Sequence, residues 1–400
     1  MSAPLKVGVV GLGIRGFWLA EMTRAGEATK LVAMADLDPQ KLEIAREHFE
    51  GVTMYQSGET MANEADIEAV FIGTGDKYHA GNAREAMRAG RHVLVEKPLA
   101  QSFADLAEIA RLQHETGLTV GTFLELRQGD LWKRVKEIIG SGEIGDVLAA
   151  RLVDHVGRDR SQFFSRAATR SREGVVSLVV QKGVHALDLL NWFIDSSPRR
   201  VHAVGGLRFF GGDRPADLHC RDCPEREDCP HARPHTGGLA KPPITIEHGD
   251  DFCVWSEACD VEDVTFANIE YASGAVASYA EVHFAPWYGI HFTIYGSRAQ
   301  MDVEANHDTG QAWIEITERY TRNQRRERPT RDTGHGGADP ALIVDFAEAV
   351  REGREPISGL RAGYESAAIG IACRESIDSG QAVDIPDVDE VAREDAQVLF

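Results

Sequence analysis

Lys97 directly follows an apolar run, His92 to Val95, and lies between Glu96 and Pro98. A lysine so placed has two readings. One is a solvated surface charge. The other is an ammonium that hydrogen-bonds a substrate hydroxyl and stabilises it as its proton leaves, with Glu96 holding the lysine in place. His185 opens a stretch with an apolar stripe, Leu189, Trp192 and Phe193, and Asp188 falls on the same helical face. This histidine reads either as a packed or capping residue, or as a general base within reach of a carbinol hydroxyl.

Removing that proton is productive only if a hydride leaves the same carbon, and the sequence contains a place for an acceptor. Gly11-Leu12-Gly13-Ile14-Arg15-Gly16 follows an apolar strand and precedes an amphipathic stretch, Phe17 to Ala25. The first glycine permits a tight turn, the second lets a pyrophosphate approach the backbone, and the third lets the helix pack on the strand. Free N–H groups and the positive end of the helix dipole then meet the phosphates. Ile14 and Arg15 count among the cofactor contacts. Asp36 ends the second strand, where a carboxylate meets the adenosine ribose hydroxyls. Asp36 and Asp38 would repel a 2′-phosphate, and no arginine stands beside Asp36, so NAD is favoured over NADP. The competing role for Asp36, capping the next helix, suits Asp38 better because Pro39 follows it.

The strands Leu31–Ala35, Ala69–Gly73, His92–Val95 and Leu118–Phe123 alternate with helical stretches. That alternation predicts a doubly wound parallel α/β sheet, with ligands beyond the carboxyl ends of its strands. Thr74, His79 and Lys97 fall at or near those ends. Around Arg127 the pattern changes to longer alternating strands, predicted at 147–156, 200–209, 264–271, 275–284, 290–295 and 312–316. Ala272-Ser273-Gly274 reads as a hairpin turn. The expected organisation is a dinucleotide-binding domain over 1–125, an α+β substrate and oligomerisation domain over 126–386, and an acidic, loosely packed tail over 387–400. A cysteine-rich insertion occupies 211–243.

Six arginines lie between Arg151 and Arg172, including Arg158, Arg160, Arg166 and Arg170. They read as scattered loop charge, or as a grip on an anionic substrate group, for which Arg166 and Arg170 are candidates. Cys220-x2-Cys223-x5-Cys229-Pro-His231 has the look of a tetrahedral zinc set. The fourth ligand is His231, His219 or His235, and a closed site would pin an insertion with no core of its own. Unligated thiols in an exposed loop are the alternative. Cys253 and Cys259 read as core or edge positions.

The chain has 400 residues and a formal net charge of −20, which disfavours nucleic acid and anionic membranes as partners. No leader or membrane span is expected, and six cysteines are too few for a disulfide framework, so a reducing cytoplasm is the expected compartment.

The glycine turn, Asp36, Ala89 to Pro98, Lys182 to Asp188 and Ala347 to Pro356 together resemble the glucose–fructose oxidoreductase, inositol dehydrogenase and MocA family (Gfo/Idh/MocA). The resemblance implies an N-terminal Rossmann domain and a C-terminal α+β domain with an open, mostly antiparallel sheet. It implies hydride transfer at a hydroxyl or keto carbon of a sugar, sugar acid or cyclitol. Lys97 becomes the catalytic lysine and His185 the acid/base histidine, with Lys97, Gln181 and Lys182 beside the substrate. The family often has an aspartate where this chain has Gln181, so a relay through that position is not carried over. A homodimer or homotetramer through the open sheet is also implied. Two other readings stand: an NAD-assisted glycosidase acting on an anionic glycoside such as a sulfoquinovoside, and a non-catalytic NAD or sugar sensor.

Overall fold

The computed structural model describes residues 3–157, 162–232, 251–329 and 338–394. The chain opens with β1 (Leu5–Val10), α1 (Ile14–Ala25), β2 (Thr29–Ala35), α2 (Pro39–His48), β3 (Thr53–Tyr55), α3 (Gly58–Glu64) and β4 (Ala69–Ile72). It continues through α4 (His79–Arg88), β5 (His92–Val95), α5 (Phe103–Thr116) and β6 (Val120–Thr122). These strands form a parallel sheet in the order β3-β2-β1-β4-β5-β6, the predicted doubly wound topology. β4 is buried throughout and β1 nearly so, as expected for strands covered on both faces.

Register fixes where the site lies. Val10 pairs with Ala35 and Ile72, Ile72 with Val95, and Val95 with Thr122. The strands therefore end together, and Gly11, Asp36, Gly73, Glu96 and Phe123 stand in a row along the carboxyl edge. The strand order reverses between β1 and β4, which opens a crevice there.

The second region comprises α6 (Asp130–Gly140), β7 (Val147–Gly157), α7 (Gln162–Ser165), α8 (Val184–Ile194), β8 (Pro198–Gly206), β9 (Val264–Tyr271), β10 (Val276–Ala285) and β11 (Gly289–Gly296). There follow β12 (Ala299–Asn306), β13 (Ala312–Glu318), β14 (Gln324–Glu327), α9 (Ala338–Glu352), α10 (Leu360–Ser379), β15 (Val383–Asp384) and α11 (Val388–Arg393). Nine strands form one sheet, β14-β13-β12-β11-β7-β10-β9-β8-β15. Every pairing is antiparallel except that of β7 with β10. α8 and α10 cover one face. The opposite face leaves Val204, Phe266, Val276 and Tyr295 exposed.

α9 returns to the first sheet. Its Leu342, Ile343 and Phe346 join a core with Val7, Val9 and Phe71, and the rings of Phe71 and Phe346 meet edge-on at 5.7 Å.

Several boundaries differ from expectation for identifiable reasons. β8 stops at Gly206 because the buried carboxylate of Asp263 accepts the N–H groups of Arg208, Phe209 and Phe210 at 2.8, 2.6 and 2.8 Å, turning the chain. β12 and β14 were not predicted: the first hides its alternation behind small and acidic residues, and the second is rich in arginine. The tail is better ordered than expected. Asp387 caps α11, whose Val388 and Val391 are buried; residues 395–400 lie outside the described ones.

Candidate active site

At the crevice, Gly11 has φ of 85°, and a Cβ there would lie 2.6 Å from Thr74. A Cβ on Gly16 would lie 1.5 Å from the Gly11 carbonyl oxygen, so the helix packs on the turn only with glycine. Nothing lies within 4 Å of a Cβ on Gly13, which leaves the cradle open on the side a pyrophosphate would take. α1 starts at Ile14 with no side-chain cap and no acid in its first turn, so its leading amides stay available to phosphate oxygens. The Asp36 carboxylate accepts the Leu12 N–H at 2.6 Å and the Asp38 N–H at 2.8 Å. Asp38 in turn caps α2 by accepting the Gln40 N–H, as the sequence predicted. Lys41 Nζ lies 3.7 Å from Asp36. Thr74 Oγ1 and Asp76 Oδ2 are buried with no hydrogen-bond partner among the described residues. An open cradle, uncapped amides and two orphaned polar atoms fit a bound dinucleotide.

His79 has another task. Its ring nitrogens face the carbonyls of Pro98 at 2.7 Å and Thr74 at 3.1 Å, and it is buried, so it rivets the Thr74 loop to the Lys97 loop. Glu96 does not hold the Lys97 ammonium as expected. One carboxylate oxygen accepts Arg15 Nε at 2.6 Å, and Arg15 also reaches Asp339 at 3.1 Å. Burial works against the Arg15 charge, but Glu96, Asp339 and Glu125 outweigh it and raise its pKa. Arg15 thus ties the glycine turn to β5 and α9.

Lys97 Nζ instead donates to the backbone carbonyl of Gln181 at 2.6 Å. Gln181 lies in a π-helical turn, Val179–Gly183, that leads into α8. Such turns widen the helix and often occur at functional sites. His185 stands one turn further on, its Nδ1 3.5 Å from a carboxylate oxygen of Glu125. The Gln181 side-chain oxygen is buried without a partner among the described residues.

Lys182 points elsewhere, onto the fully buried carboxylate of Asp154. Burial opposes its charge, yet Asp154, Tyr288 and Glu281 prevail and its pKa rises above the ordinary lysine value. Behind it, Glu281 accepts from Tyr279 Oη and pairs with His283 Nε2, each at 2.6 Å. Gly183 is required at this contact: a Cβ would lie 2.6 Å from Glu281 and 2.7 Å from Tyr279. Asp188, on the His185 face in sequence, is taken by Arg127 in a bidentate pair at 2.6 and 2.8 Å.

Sequence reasoning missed Glu125, Asp154 and Glu281. Glu125 had one visible signal, an acid just past the carboxyl end of β6. The arginine stretch is divided. Arg170 donates to the Ala216 carbonyl at 2.7 Å and lies 3.9 Å over the Phe252 ring, facing the cysteine-rich insertion. Arg166 is half-buried at the start of the same turn, while Arg158 and Arg160 lie outside the described residues. In the insertion, Cys220, Cys223, Cys229 and His231 line one cavity. No group of three or more His, Cys, Asp or Glu side chains forms a ready metal site among the described residues. His219 pairs with Asp251 at 2.7 Å, and His235 lies outside the described residues. Cys253 and Cys259 are both buried, as expected, and Cys253 also lines the same cavity as the other three thiols.

Residues 5–123 match the family described as "Oxidoreductase family, NAD-binding Rossmann fold", and residues 136–385 match "Oxidoreductase family, C-terminal alpha/beta domain". The chain belongs to the Gfo/Idh/MocA oxidoreductase family. Within it, the Bacillus subtilis protein YteT is 24% identical over 390 residues, covering 89% of this chain and 90% of that one. The 1,5-anhydro-D-fructose reductase of Ensifer adhaerens is 23% identical over 334 residues, 82% and 83% of the two chains. The myo-inositol 2-dehydrogenase of Lactobacillus plantarum superposes with a TM-score of 0.67 at 21% identity, over 96% of this chain and all of that one. As a Gfo/Idh/MocA protein, this chain is an oxidoreductase with an NAD-binding Rossmann domain. No helix among the described residues is long and apolar enough to cross a membrane.

Proposed function

We propose that this protein uses NAD to oxidise or reduce a hydroxyl or keto carbon of a sugar, sugar acid or cyclitol. The observation that carries this reading is the hydrogen bond from Lys97 Nζ to the Gln181 carbonyl. It brings the lysine of the cofactor sheet onto the helix that carries His185. NAD supplies the hydride acceptor or donor at this edge. In the oxidative direction His185 takes the hydroxyl proton on Nε2, since Nδ1 faces Glu125. Lys97 donates a hydrogen bond to the same oxygen as charge develops there. Gln181 cannot take a proton, so its buried amide oxygen serves to orient a neighbouring hydroxyl. The paired ammonium of Lys182 fixes the wall of the pocket, and Arg166 remains the candidate for an anionic substrate group, because Arg170 is committed to Ala216 and Phe252.

NAD is a better fit than NADP because a carboxylate at Asp36, at the end of β2 beside the glycine turn, would repel a 2′-phosphate, although Lys41 stands close by. The exposed apolar residues of the open sheet support a homodimer or homotetramer built on that face. A cytoplasmic setting and a structural zinc in the insertion belong to the same reading. The test is NADH formation across a panel of neutral and acidic sugars and cyclitols. Turnover with one class, abolished by His185→Ala, is expected. Aglycone release from a chromogenic glycoside without net NADH would assign the NAD-assisted glycosidase instead. NAD binding without any turnover would assign the sensor.

A further inference from the structure

The described part of the cysteine-rich insertion, Gly211 to Ala232, is not held by apolar burial. Between Gly211 and Ala232 the only buried residue is Cys220, and the only regular element is the short turn Cys220–Asp222. A segment this polar needs a cross-link to keep one conformation.

We infer that Cys220, Cys223, Cys229 and Cys253 form a four-thiolate structural zinc site, with His231 outside the ligand set. Four of the six cysteines of the chain line one cavity of about 340 Å³. The backbone brings them there by three separate devices. Cys223 N–H donates to the Cys220 carbonyl at 3.3 Å, closing a tight turn that sets two thiols on one side. Cys229 sits in a second turn, where the Ala232 N–H donates to its carbonyl at 3.1 Å. Cys253 arrives by strand pairing. An antiparallel bridge joins His219 to Phe252, flanked by the Cys220 N–H to Asp251 and the Cys253 N–H to Leu218. Cys253 therefore opposes Leu218 and shares a face with Cys220 as its diagonal neighbour, about 7–8 Å away.

Tetrahedral zinc holds thiolates at about 2.3 Å. Among the described residues no three such side chains yet stand at ligand spacing, so binding the ion would require the four thiols that line the cavity to converge on it. Arg214 Nη1 lies 3.6 Å from Cys223 Sγ while its Nη2 pairs with Glu225 at 2.6 Å. Arg226, Glu225 and Asp228 share the cavity wall, so the nearby arginines offset part of the negative charge of four thiolates around a divalent ion. The two described histidines have other partners. The ring of His231 packs at 5.4 Å against both Phe210 and Trp255, and His219 is paired with Asp251. Four protein ligands leave no open position, so the site is structural. Its scaffold role follows from the Arg170 contacts, which join the insertion to the segment after β7.

The test uses the full chain, purified from zinc-supplemented cells without chelator. Zinc, iron and acid-labile sulfide are measured together. One zinc per chain with no sulfide is expected, and cobalt substitution should give the charge-transfer absorption of a tetrahedral tetrathiolate. Cys253→Ser should lower zinc affinity by more than roughly tenfold, while His231→Ala and Cys259→Ser keep it. NAD binding by each variant reports whether the first domain is intact, and if Cys253→Ser does not fold, the cobalt spectrum of the unaltered chain decides. Metal-free protein, an iron–sulfide cluster, disulfides found by alkylation and mass measurement, or zinc lost from His231→Ala but kept by Cys253→Ser would each overturn the assignment.

Discussion

Lys97 reaches across from the end of β5 to the backbone carbonyl of Gln181, 2.6 Å away in the turn before α8. A carbonyl is a permanent acceptor, so the lysine is held in place without an ion pair to a carboxylate. Its remaining donors stay available for a substrate oxygen. Lys97→Met should therefore lower kcat about a hundred- to ten-thousand-fold while NAD affinity changes little. Steady-state kinetics and a separate NAD titration check this. Equal loss of NAD binding would remove Lys97 from the chemical step.

The glycine turn makes two opposite predictions. Gly16→Ala puts a methyl against the Gly11 carbonyl oxygen, and the overlap should cost about 1–3 kcal/mol or more of stability. Gly13→Ala meets nothing in the protein. It should leave Tm unchanged and weaken NAD binding alone. Thermal unfolding and NAD titration of the two variants separate packing from cofactor contact.

Arg127 and Asp188 form a buried bidentate pair, with the aspartate fully enclosed. Arg127→Leu leaves that carboxylate without its counter-charge and should destabilise the chain by about 3–5 kcal/mol. Adding Asp188→Asn should recover part of the loss. Denaturant unfolding of the single and double variants measures it, and additive losses would mean that the pair is not coupled.

β14 should be sensitive to acid. The hydrogen bond from Arg134, helped by Arg325 and opposed by burial, lowers the Glu327 carboxyl to about 2 from its ordinary 4.5. The folded chain then binds fewer protons at this group than the unfolded chain. The stabilisation is complete above pH 4.5 and is lost as the pH falls towards 2. Protection from hydrogen exchange in Gln324–Glu327, taken relative to the intrinsic exchange rate at each pH, should fall over that window, and Glu327→Gln should remove the dependence.

Much of the cofactor side was legible because its signals are local. The glycine spacing, Asp36 and the residues after β5 are read along one strand–turn–helix unit at a time. Lys97 and His185 were legible as types of residue in suggestive places, but their real partners were not. Glu96 looked like the neighbour of Lys97 and instead serves Arg15, because adjacent residues at a strand end point to opposite sides. Glu125 lies far along the chain from His185 and meets it where the helical turn after β6 packs on α8, while Cys253 is brought beside Cys220 by the pairing of His219 with Phe252. Lys182 looked like a substrate contact, yet the buried Asp154 claims it, a pairing set by which face of β7 turns towards α8.

The return of α9 to the first sheet has a consequence for biosynthesis. Arg15 in the glycine turn needs Asp339, Phe71 needs Phe346, and the Thr122 N–H donates to the Ser358 carbonyl. The nucleotide-binding half leaves the ribosome first but stays unfinished until the chain has grown past residue 358. Truncation after residue 125 would expose an apolar flank, and the part of the protein made earliest would be among the last to become competent.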